Sequence, residues 1–168
     1  MAISQSASNV LLQLADVLDR MTDKQYNTPI ELLSDTTIGA HVRHTIEFFT
    51  CLLEGVEQSV INYDLRRRDM VLETDRISAL QKATELAEKL SDLKMKGQIT
   101  LESKIGNSKG KMVSMASSLE RELWYTIEHA VHHLAIIKIG LKSIDSSFVF
   151  PEHFGVASST VNYQLSKG

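Results

Sequence analysis

Apolar residues recur at three- and four-residue steps along four stretches of this chain, the spacing of one face of an α-helix. The first runs from about Ser4 to Met21, with Val10, Leu11, Leu14, Val17, Leu18 and Met21 facing inward. It ends in a polar run before Pro29, which biases the chain away from helix. The second starts near Ser34–Thr37, whose side chains suit an N-cap, and carries Ile38, Val42, Ile46, Phe49, Leu53, Val56 and Val60. The third covers about Asp75 to Met95, with Ile77, Leu80, Leu86 and Leu90 inward. The fourth covers about Ser118 to Ser143, with Leu123, Ile127, Ala130, Leu134, Ile137 and Leu141 as its stripe. Trp124 adjoins that stripe and is expected to pack in the core.

Two segments break the helical period. Residues 97–115 place Ile99, Leu101 and Ile105 around a Gly106–Gly110 turn, which predicts a hairpin or extended insert. Residues 146–168 show no helical period and are expected to form an irregular tail. Four helices with one extended excursion predict a single all-α domain over 1–168, a four-helix bundle.

Composition narrows the function classes. A length of 168 residues with 43% hydrophobic residues suits one domain with a real core. A formal charge of −3 argues against a protein that coats nucleic acid through a basic surface. No apolar run approaches the roughly 18 residues of a membrane span, and the first residues lack the basic start and apolar block of a secretory signal. Cys51 is the single cysteine, so no intramolecular disulfide forms. These features predict a cytoplasmic protein with neither membrane nor nucleic acid as partner.

Six histidines are many for this length, and five fall in two groups: His41 with His44, and His129 with His132 and His133. His129 and His133 stand four apart on the fourth helix, so both rings project from one face beside the apolar stripe. Two imidazoles at that spacing plus a third from another helix can hold a metal and leave positions open for water or substrate. Periodicity alone leaves the choice open among the five. A helical histidine pair is also often no more than a surface or hydrogen-bonded feature.

The segment Thr37–Thr45 with Ile46–Phe49, followed by Leu123–Lys138, resembles the DinB/YfiT-like superfamily. That resemblance implies an up-down-down-up four-helix bundle with a metal held by three histidines. One family ligand lies in an H-x-x-[DE] motif, matched by His44 and Glu47; the other two form H-x-x-x-H, matched by His129 and His133. It further implies a divalent metal, zinc or nickel, and a homodimer. The implied activity is transfer of a low-molecular-weight thiol such as bacillithiol or mycothiol to an electrophile, or hydrolysis of a small substrate. Glu47 is then the candidate base or ligand orienter. His41 and Tyr125 are candidates to stand beside the metal ligands, and Arg67, from the charged link Asn62–Arg76, to bind a substrate anion. A different class is a non-catalytic, metal-stabilised helical dimer with a stress-related binding role.

Overall fold

The computed structural model describes residues 3–94, 97–106 and 110–167. Helix α1 spans Ile3–Arg20, and its buried face is Ala7, Leu11, Leu14, Val17 and Leu18. A short helix α2, Asp23–Asn27, is started by a capping box in which Thr22 and Gln25 bond each other's backbone. A 3-10 turn at Glu31–Leu33 leads through Ser34 and Asp35, both left-handed, into α3, Ile38–Gln58. Thr37 caps α3 by accepting the N–H of Ala40. Ile38, Val42, Ile46, Phe49 and Leu52 then line its buried face.

At Ser59 the backbone turns left-handed (φ 56°) and the helix stops. The β-branched pair Val60–Ile61 extends as strand β1, folded tightly against the end of α3. A Cβ at Gly55 would lie 2.6 Å from both the Ile61 side chain and the Val60 carbonyl, so only glycine permits that return. Strand β1 pairs in parallel with β2 (Gln98–Ile105), with Val60 opposite Thr100. Strand β2 pairs antiparallel with β3 (Lys111–Ser118), from Gln98 opposite Ser118 to Ile105 opposite Lys111. Residues 107–109 of the expected Gly106–Gly110 turn lie outside the described residues, as does Met95, the expected end of the third helix.

The charged link after β1 is ordered rather than loose. It forms a 3-10 turn at Tyr63–Leu65 and helix α4, Met70–Thr74, before Asp75 caps α5, Arg76–Ser91. The inner face of α5 is Ala79, Ala83, Leu86, Ala87 and Leu90, while Ile77 is exposed. Small alanines allow α1 to lie close along α5, the most extensive helix pairing in the molecule. Ser118 then caps α6, Leu119–Ile144, in which all six expected stripe residues are buried. Trp124, expected in the core, is half exposed because Leu123 and Ile127 already fill the inward arc.

The expected irregular tail contains helix α7, Ser158–Leu165. It buries nothing, which is why no apolar period announces it. Before it, Phe148 and Phe154 are buried, and Gly155 (φ 67°) lies against the backbone of Ala135 in α6. The architecture is therefore not an all-α four-helix bundle. Among the described residues, seven α-helices accompany a three-stranded mixed sheet. The hairpin is not a passive insert, because β1 at the end of α3 joins it into one sheet. No helix among the described residues is long and apolar enough to cross a membrane.

Candidate metal centre

The two histidine groups meet where α3 lies along α6. Capping by Thr37 sets the first turn of α3, so His41 and His44 project toward α6 from one side of it. His129 and His133, one helical turn apart, answer from α6. Nε2 of His44 lies 2.8 Å from Nε2 of His129, and Nδ1 of His41 lies 3.2 Å from Nδ1 of His133. The ring centres of His44 and His133 are 4.3 Å apart, and those of His129 and His133 4.8 Å. One ligand nitrogen each from His44, His129 and His133 falls within 4.8 Å of the others. His132 is exposed, its ring at right angles to that of His133. His153 is also exposed, on the tail beside Glu152.

Burial keeps the imidazoles neutral. The pKa of His44 is pushed down to about 4, first by desolvation and then by Arg66 and His129. That of His133 falls to about 3 through desolvation, then His44 and His129. His41 and His129 are lowered too, again chiefly by burial and next by His132. At neutral pH all four rings hold lone pairs, the state a metal requires. Nitrogens around a zinc-sized ion stand about 3.0–3.4 Å apart when each is about 2.0–2.1 Å from it. The His44–His129 pair at 2.8 Å is slightly inside that spacing, and the His133 nitrogen lies within 4.8 Å of both. The donor set therefore fits a divalent ion that favours imidazole, such as zinc or nickel.

An aromatic wall supports the centre. Phe48 stacks on His129 with ring centres 4.1 Å apart, and Tyr63 stacks on Phe48 at 4.9 Å. Tyr125 lies 5.9 Å from His129 in a stacked arrangement. Its contact with the centre is thus through the ring face. Buried Tyr63 donates to Glu122, which also accepts from Ser117 and Arg121. Phe48, Tyr63 and Arg66 carry no metal-ligand signal in sequence. Only their i+4 step from His44, in the case of Phe48, hints at the wall.

Glu47 is placed otherwise than a free base would be. Its carboxylate is buried, accepts the backbone N–H of Asp69 at 2.7 Å and faces Arg66 at 3.9 Å. It anchors the link after β1 to α3. Arg66 rather than Arg67 approaches the centre, its guanidinium 4.8 Å over the Phe48 ring and bonded to the Tyr63 carbonyl. Arg67 is exposed and pairs with Glu54.

FK506-binding protein 5 of Rhizopus delemar is similar to this chain, 33% identical over 108 residues. The aligned stretch is 62% of this chain and 28% of the fungal protein's length. No protein-family model matches the chain, and no solved structure matches it. The DinB/YfiT-like assignment drawn from the two histidine motifs is therefore corrected: no family match supports it, and the mixed helix-and-sheet fold departs from the bundle it implied. The three-histidine group stands on its geometry alone.

Proposed function

We propose that this protein binds a divalent transition-metal ion, zinc or nickel, through His44, His129 and His133. We read it as a metal-dependent hydrolase or thiol transferase of small molecules. The convergence of three neutral imidazole nitrogens within 4.8 Å, from helices remote in sequence, carries the reading. A divalent ion held there supplies Lewis acidity, which makes a water or thiol a nucleophile at neutral pH. The chain's own part is to hold three half-buried nitrogens, with the buried Phe48 ring stacked on His129 to fix its orientation. The ligand in the fungal relative's name belongs to that protein, of which the shared stretch is 28%.

Titration of chelator-stripped protein with zinc or nickel tests the site, read by calorimetry and by metal content. One equivalent is expected to bind, and His44→Ala, His129→Ala and His133→Ala should each lose most of it. Binding that is absent, or indifferent to all three substitutions, overturns the reading. Thiol conjugation and ester hydrolysis assayed with and without metal then separate an enzyme from a protein the metal merely stabilises.

A further inference from the structure

His41 lies beside the three nitrogens, and its two ring nitrogens have different partners. Nδ1 faces Nδ1 of His133 at 3.2 Å, and Nε2 faces the Thr36 hydroxyl at 3.1 Å. Thr36 is itself held. Its carbonyl accepts the N–H of Ile30, and its hydroxyl donates to the Leu33 carbonyl at 2.7 Å.

A hydroxyl has one proton to give, and a carbonyl can only accept. With the Thr36 proton committed to Leu33, the Thr36 oxygen must accept from Nε2–H of His41. A neutral imidazole carries one proton, so Nδ1 of His41 is then a bare lone pair. The nitrogen 3.2 Å away, Nδ1 of His133, must therefore be the donor. That leaves the lone pair of His133 on Nε2. The bonds all run one way, from His133 through His41 and Thr36 to a backbone carbonyl that cannot reverse them.

We propose that Thr36 and His41 form a relay that fixes His133 in its Nδ1–H tautomer, so that Nε2 is the nitrogen it offers to a ligand. His41 is thus a positioning residue and not a fourth ligand. Its role toward a metal rests on the three-histidine reading above, whereas the tautomer itself is a property of the metal-free chain. Where a partner of this kind is lost, metal affinity typically falls about 10–100-fold. Without the Thr36 acceptor, the His41 proton is free to move to Nδ1. His133 would then carry its proton on Nε2, where it blocks coordination.

Long-range proton–nitrogen correlation spectra of the ¹⁵N-labelled, metal-free protein read the tautomer directly. Wild type and Thr36→Ser should show His133 as Nδ1–H, and Thr36→Val should show the Nε2–H form gaining. Zinc affinity should fall about 10–100-fold in Thr36→Val and His41→Ala and stay near wild type in Thr36→Ser. An Nε2–H tautomer for His133 in wild type overturns the relay, even if zinc binds. Absence of zinc binding by wild type overturns the metal reading and leaves the tautomer result standing. A His41→Ala protein that binds no zinc, with one nitrogen more than three found around zinc in wild type by X-ray absorption, makes His41 a ligand and overturns its positioning role.

Discussion

Nε2 of His44 and Nε2 of His129 stand 2.8 Å apart across the α3–α6 contact, a separation at which two imidazoles cannot both be cationic. Unfolded histidines take up a proton near pH 6.5, whereas folded His44 does so only near about 4 and His133 near about 3. Between those values the unfolded chain binds more protons than the folded one. Stability should therefore be full above pH 6.5 and fall as the pH drops through 6 and 5. Urea midpoints of chelator-treated protein at pH 7.5, 6.5 and 5.5 check this, an interval chosen above ordinary carboxylate titration. A midpoint that stays constant, or rises, contradicts it.

Removal of the Glu47 carboxylate leaves the Asp69 N–H without its acceptor and Arg66 without a nearby anion. Glu47→Ala should cost about 1–3 kcal/mol in denaturant unfolding, with zinc binding retained. Unchanged stability together with abolished turnover would restore Glu47 to the chemistry.

The Cys51 thiol is half-buried in α3, and its pKa is pushed up to about 11, mainly by burial and next by Glu54. Only the thiolate alkylates readily, so at pH 8 Cys51 should react about 100-fold more slowly than an ordinary thiol. Iodoacetamide labelling of native against urea-unfolded protein measures the ratio. Equal rates would show a thiol with an ordinary pKa.

The buried apolar core, from Ala7 to Phe154, includes none of the histidines. Excess EDTA should therefore leave the helical circular dichroism nearly intact, and added zinc should raise the melting temperature only by mass action. Loss of most helical signal on chelation would make the metal a structural element.

Regular burial on one helix face was the most legible feature. Leu123, Ile127, Ala130, Leu134, Ile137 and Leu141 are all buried, and their spacing alone located α6. Helix α5 was harder, because its inner face is built on Ala79, Ala83 and Ala87, small residues that give little hydrophobic contrast against Ile77 and Leu80. The parallel pairing of Val60–Ile61 was invisible, since two residues carry no period and their partners at Thr100 and Leu101 lie far along the chain. The histidines could be grouped by helix periodicity, but not matched across helices. His41 meeting His133 depends on the axial offset of α3 against α6, which no local spacing encodes. Arg66 and Arg67 are indistinguishable in sequence. Only the turn at Tyr63–Leu65 sends one over Phe48 and the other to Glu54.

Helices α1 and α5 lean chiefly on each other, whereas the histidines join α3 to α6. His44 and His129 are 85 positions apart, so an ion between them would act as a removable crosslink around a long loop. Its effect on amide exchange would then be unequal. Opening events that part α3 from α6 would be suppressed, and fraying of the ends of α1 and α5 would continue as before. One ligand would convert part of the molecule from a breathing structure into a clamped one, and the map of slowed amides would trace the clamp.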